Sequence, residues 1–164
     1  MTIRGFAAAL FSSAFVLIAV ASARVTAAPQ AAPVQAAAPD PKADEATFMA
    51  VCGACHDANL VEGAFRTPPE LDDTISRMQS YGASATADQF EQVRVHLLRT
   101  YGRVNVNLVP ARDMAPVLDV TSQVADAVVA YRTQNGKFAS LDDLKKVPGL
   151  DAAKIDARRT RITF

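Results

Sequence analysis

Val51-Cys52-Gly53-Ala54-Cys55-His56 holds both cysteines of this 164-residue chain and one of its two histidines. Two thiols three positions apart lie close together on one helical turn, and the imidazole follows at once. Cys-x-x-Cys-His is the spacing at which two thiols add to the vinyl groups of a haem as thioethers, while the adjacent histidine turns beneath the porphyrin to bind iron. A thioredoxin-like redox pair would need a βαβ setting that the flanks do not offer, and a plain disulfide leaves His56 without a role. Two cysteines also exclude a disulfide framework and a four-thiolate zinc site.

The flanks read as short helices around that motif. Asp44 or Thr47 is placed to cap a first helix that carries Phe48 and Val51 toward the haem side. A second is expected from about Leu71 to Tyr81, with Leu71, Ile75 and Met78 on one face and Gly82 at its end. A third starts at a Thr86 cap and runs to Tyr101. Its stripe is Phe90, Val93, Leu97 and Tyr101, and Gly102 is expected to be a left-handed stop. Such a short stretch buries little surface alone, so a haem would supply part of its core.

Ala46-Thr47-Phe48, the Cys52 to His56 motif, Met78 with Gly82-Ala83, and a closing helix ending Tyr101-Gly102 resemble a small class I cytochrome c domain over residues 44–103. The resemblance implies one covalent haem c, with Cys52 and Cys55 as thioethers, His56 as proximal iron ligand and a downstream methionine as the sixth. Met1 lies in the leader, Met49 is too close to the attachment motif, and Met114 belongs to the C-terminal segment, which leaves Met78. His96 is the rival ligand, although helical spacing sets it about 120° from the apolar stripe. An iron filled by His56 and Met78 leaves no position for a substrate. The expected activity is therefore not enzymatic catalysis but one-electron transfer between redox partner proteins. No paired carboxylates, Ser-His-Asp set or phosphate-cradling glycine loop suggests other chemistry.

Toward the N-terminus, Arg4 precedes an apolar stretch from Gly5 to Ala23 that ends in small residues, which reads as a signal peptide over 1–27. If the segment were retained it would approach the ~20 residues that span a bilayer and would anchor the chain. Either way the remainder is expected to be extracytoplasmic, in the periplasm or its equivalent. Residues 28–43 are Ala/Pro-rich and read as a linker.

The 17 basic and 17 acidic residues cancel, but unevenly. Residues 44–103 hold nine acids against five bases, and residues 104–164 seven acids against nine bases. That asymmetry suggests two modules, the acidic one suited to a partner with a basic face.

The basic segment reads as short helices: Pro110 to Leu118, Ser122 to Gln134, Leu141 to Lys146 and Ala152 to Arg159, with turns at Asn135-Gly136 and Pro148-Gly149. Asn105-Val106-Asn107, Ala130-Tyr131-Arg132, Asn135-Gly136, Phe138, Ser140-Leu141, Asp143-Leu144, Val147-Pro148-Gly149-Leu150 and Ile162-Thr163-Phe164 resemble the tandem helix-hairpin-helix domain of competence DNA-receptor proteins. By that likeness Met114 takes the place of a buried leucine. The family's Gly-hydrophobic-Gly turns grip DNA phosphates through backbone N–H groups. Here the turns read Asp119-Val120-Thr121 and Gly149-Leu150-Asp151, with three glycines lost and two carboxylates added. Lys145, Lys146, Lys154, Arg158, Arg159 and Arg161 form a cluster that would attract a phosphodiester backbone. The expectation is a structural or docking module, with DNA binding as the alternative. The whole chain is expected to be all-α.

Overall fold

The computed structural model describes residues 40–58 and 63–164, which lie in a compact unit, Ala37–Phe164. The expected signal peptide, 1–27, and most of the expected linker, 28–43, fall outside the described residues. Among the described residues no helix is long and apolar enough to cross a membrane.

The chain is all-α apart from one minimal strand pair. Helix α1 is Pro41–Cys52, α2 is Pro68–Ser80, α3 is Ala87–Tyr101, α4 is Ala111–Leu118, α5 is Ser122–Asn135, α6 is Leu141–Leu144 and α7 is Ala152–Ala157. Val104–Asn105 (β1) pairs in parallel with Ile162–Thr163 (β2), which joins the chain's last residues to the segment that leaves α3.

The first helix begins earlier than its sequence suggests. Asp40 caps it, accepting from the N–H groups of Lys42 and Ala43, and Pro41 supplies a preset φ at the first helical position. Asp44 and Thr47 are therefore not caps. They lie inside α1 and face α3, where the Asp44 carboxylate meets Arg99 at 2.9 Å and the Thr47 hydroxyl donates to the Gln92 side chain at 2.8 Å. Phe48, one turn beyond Asp44, is buried and stacks on the His96 ring with centroids 4.6 Å apart. Residue numbers rise along α1 as their partners fall along α3, so the two helices run antiparallel.

Helix α3 has the expected Thr86 cap, with Gln89 returning the bond to the Thr86 N–H. It packs against α1, α2 and α4. Its buried residues Val93, Leu97 and Leu98 join Phe48 and Leu71 to Met114, Val117, Leu118, Val128, Leu144 and Ile155 in a single apolar core. Gly102 closes α3, but not in the left-handed conformation: its φ of −73° and ψ of 145° suit any residue. The glycine is needed for space. A Cβ there would stand 2.4 Å from the Leu98 carbonyl oxygen and 2.7 Å from a Val117 methyl. Among the described residues the non-glycine with positive φ is Asp119, at φ 56° after α4.

The C-terminal helices are held by polar tethers to the loop before them. The Asn107 side chain donates to the Phe138 carbonyl at 2.9 Å and accepts its N–H at 2.8 Å. Arg132 of α5 donates to the carbonyls of Val106 and Val109. Arg161, just before β2, caps the other end of α3 by donating to the Leu98 and Gly102 carbonyls, both at 2.7 Å. The Leu98 oxygen also accepts from the Gly102 N–H at 3.0 Å, so Arg161 adds a second donor there and supplies one to Gly102, just beyond the helix.

Two outcomes follow from this packing. Gly102→Ala should cost about 1–3 kcal/mol in denaturant unfolding, because backbone and a core methyl must both move. Burial pushes the His96 pKa down; Glu45 and Asp44 oppose this and Arg99 adds to it. The unfolded chain then takes up a proton first, so this contribution is intact above the ordinary histidine value near 6.5 and is lost as pH falls through it toward the folded pKa. His96→Phe, which keeps a ring against Phe48, should flatten that part of the stability profile below the ordinary histidine value.

Candidate functional site

Three of the four residues singled out for iron and haem line one cavity of about 290 Å³. Cys52, in the last turn of α1, and His56 stand along one side of it. Helix α2 brings Thr74, Ile75, Arg77 and Met78 to it, and α3 contributes Phe90, Val93 and Leu97. Met78 reaches the cavity for the reason its spacing suggests. It shares a face with Leu71 and Ile75, and that face packs toward the core while Glu70 ties down the start of α2 by accepting from the Thr67 N–H at 2.7 Å.

Cys55, the fourth, is exposed and outside the lining, on the turn that follows α1. His96 is outside it as well, stacked on Phe48. The cavity therefore separates the two rival ligands: it holds Met78 and not His96.

The His56 ring is oriented by its own backbone. Its Nδ1 lies 2.8 Å from the Asp57 carbonyl oxygen. A carbonyl can only accept, so Nδ1 carries the proton and Nε2 keeps a lone pair, the tautomer that a metal-binding imidazole requires. Burial raises the pKa of the half-buried Cys52 thiol, which stays protonated at neutral pH. Among the described residues no cluster of His, Cys, Asp and Glu is suited to hold a bare metal ion.

The lining is mainly apolar, with Arg66 and Arg77 at its edge and no carboxylate. Neither guanidinium has an ion-pair partner among the described residues. A flat apolar molecule with anionic groups at one margin matches that distribution of charge, and a haem with its two propionates is such a molecule. The lining fits the group, as do Cys52, His56 and Met78, while Cys55 stands outside the lining.

The second functional surface is the pair of hairpin turns, and sequence reading missed how they are used. Val120 and Leu150, the middle residues of the two turns, pack against the core as a hairpin requires. Gly149 has φ 89°, and a Cβ there would come within 3.2 Å of Val124 of α5. The flanking groups are engaged internally. Asp151 accepts from the N–H groups of Ala153 and Lys154 at 2.8 and 3.2 Å, so its own carboxylate occupies donors at the start of α7 that a phosphate would need. The Asp119 carboxylate lies 3.7 Å from both Lys154 and Arg158.

Most of the basic cluster is committed in the same way. Lys145 pairs with Asp156 at 2.5 Å and with Asp142 at 3.5 Å, and Lys146 pairs with Asp143 at 2.7 Å. Arg158 also donates to the Val117 carbonyl, and Arg161 is buried against α3 with its pKa pushed down to about 10 by burial and by Arg158. Of the six, Arg159 and Arg161 have no ion pair among the described residues, and Arg161 is instead bound to backbone carbonyls. The cluster that the sequence offers to a phosphodiester backbone is therefore largely neutralised, because Asp142, Asp143, Asp156 and Asp119, the last from the turn after α4, meet its lysines and Arg158 in the fold.

Comparison with known proteins bears on this second surface. Residues 100–163 match the helix-hairpin-helix motif family. ComE operon protein 1 of Bacillus subtilis (strain 168) is 30% identical over 60 residues, which are 37% of this chain and 29% of that protein. The endonuclease/exonuclease/phosphatase family domain-containing protein 1 of Bos taurus is 33% identical over 60 residues, 37% of this chain and 10% of the relative. Its Xenopus laevis counterpart is 28% identical over 89 residues, 54% of this chain and 15% of the relative. This chain thus spans less than a third of the length of each of these relatives. No solved structure matches. With its two hairpins built on α4–α5 and α6–α7, the C-terminal part of this chain is a helix-hairpin-helix domain similar to a segment of ComE operon protein 1.

Proposed function

We propose that this protein is an extracytoplasmic helix-hairpin-helix protein that carries one covalently attached haem c and uses it to pass single electrons between redox partners. The observation that carries the haem half of this reading is the convergence of Cys52, His56 and Met78 on one apolar cavity. Cys52 and Cys55 would hold the group as thioethers, and His56 through Nε2 and Met78 through its sulfur would be its iron ligands. Bound in that way, the haem supplies one-electron oxidation and reduction, at a potential that thioether ligation raises. The chain's own residues do the remainder. Phe48, Ile75, Phe90, Val93 and Leu97 exclude water, the Asp57 carbonyl holds the His56 ring in its metal-binding tautomer, and Arg66 and Arg77 balance negative charge at the margin.

The helix-hairpin-helix domain is the docking module in this reading. The family match and the likeness to ComE operon protein 1 favour DNA as its partner. With the donors at Asp151 occupied, such a contact would rest on side-chain charge rather than on hairpin backbone, and with most of the lysines paired it would be sequence-independent and weak at physiological salt.

Protein made with the haem-attachment machinery should give the pyridine haemochrome spectrum of a thioether haem, one per chain. Cys52→Ala/Cys55→Ala should abolish it, and its absence in the wild type removes the haem reading. Met78→Ala should retain the haem and lower the reduction midpoint. In a salt-titrated mobility shift, duplex DNA should be retained at low ionic strength and released as salt rises. Asp119→Gly/Asp151→Gly, which removes two carboxylates and reopens both turns, should tighten retention several-fold. No shift for either protein at low salt sinks the DNA reading.

A further inference from the structure

The cavity is a gap between helices, so what fixes the spacing of α2 and α3 also fixes where Met78 stands. Among the described residues, the ion pair between those helices is Arg94 with Asp72, at 2.6 Å from Nε and 3.2 Å from the second nitrogen. Arg94 follows Val93, which lines the cavity, and Asp72 precedes Met78 by six residues on the same helix. Its third bond goes elsewhere. The same terminal nitrogen that reaches Asp72 lies 2.8 Å from the carboxylate of Asp113, a buried residue of α4 in the helix-hairpin-helix domain. The guanidinium is thus held on two sides, and one of those sides belongs to the C-terminal domain.

A second contact has the same sense. Arg161 lies over the Phe65 ring, 5.2 Å from its centre. The next residue, Arg66, lines the cavity and is tied by its backbone to Tyr101 and Arg103 at 2.8 and 2.7 Å. A cation from the chain's end therefore packs on the segment that forms the cavity's margin.

We infer that the helix-hairpin-helix domain braces the Met78 side of the cleft, with Asp113 as a positioning residue that acts through Arg94 and Asp72. The inference rests on the haem reading above. Removing the Asp113 charge leaves Arg94 held from one side only, and α2 then loses its fixed distance from α3. The exposed Arg112 lies 3.6 Å from the same carboxylate oxygen, a longer contact that reaches no other helix and takes no part in the link.

The test uses full-length holoprotein, with the visible spectrum of sulfur-to-iron ligation and the reduction midpoint as readouts. Asp113→Asn and Asp72→Asn should each lose the sulfur-ligation signature in most molecules, with midpoints falling toward that of Met78→Ala. Asp113→Glu should restore much of the signature, and Arg112→Gln should leave it unchanged. If Asp113→Asn does not fold, Asp72→Asn decides the matter, since that side chain is 44% exposed and its change strands no buried charge. A wild-type spectrum and midpoint in either folded Asn variant overturns the brace. Failure of the underlying reading shows differently, as absence of thioether haem in the wild type or as a Met78→Ala spectrum identical to wild type, and the brace then falls because it has no ligand to position.

Discussion

A positive charge held inside the protein needs partners, and Arg94 takes them from two other helices. It is only 9% exposed. Desolvating a guanidinium costs several kcal/mol, and in a site this dry only well-placed carboxylates offset that cost. Burial alone would lower the Arg94 pKa, but the hydrogen bonds and charges of Asp72 and Asp113 overcome it and hold the group above its ordinary value. Helix α3 is therefore fixed to α2 on one side and to α4 on the other by one side chain. The cavity walls and the attachment of the hairpin domain depend on that arrangement.

The same economy recurs at the end of α3. Carbonyls at a helix C-terminus can take partners from elsewhere in the chain, and Arg161, 59 and 63 residues further along, donates to those of Gly102 and of Leu98, the latter shared with the Gly102 N–H. Strand β2 follows at once and pairs with β1, so the chain's end is tied to the segment leaving α3. The positions that carry the likeness to competence receptors have structural tasks here. Asn107 and Phe138 exchange two hydrogen bonds, Arg132 holds the Val106 and Val109 carbonyls, and Tyr131 stacks on Phe138 with centroids 5.6 Å apart. A hairpin domain built on such tethers keeps its shape even where its glycines have been replaced. Asp119 accepts a left-handed backbone that glycine would adopt at less cost, and its carboxylate lies between Lys154 and Arg158.

Much of the candidate site was legible in the residues. Cys52, Cys55 and His56 announce themselves by spacing, and Met78 follows from the face it shares with Leu71 and Ile75. The helices were legible as well, since capping by Thr86 and apolar recurrence every three to four residues are local signals. What escaped was relational. Asp44 looks like a cap because acids favour first turns, but Arg99 lies 55 positions away and draws it into the α1–α3 interface. Gly102 looks like a left-handed stop because glycine commonly is one. Its true reason, the approach of Val117, belongs to another helix. The β1–β2 pair is two residues long on each strand, too short for any alternation to be seen.

Taken alone, the amino-acid sequence determined the motif at Cys52 to His56, the all-α character and the kinship of the C-terminal segment with helix-hairpin-helix domains. Each of these rests on spacing along the chain, which covalent geometry and helical periodicity convert directly into local structure. Only the tertiary structure decided that Met78 and not His96 faces the cavity, that the six cations near the second hairpin are mostly neutralised, and that Arg94 and Arg161 join the two halves. Those outcomes depend on which charges meet after burial, and a desolvated ion pair is set by distance in space, for which distance along the chain is no guide.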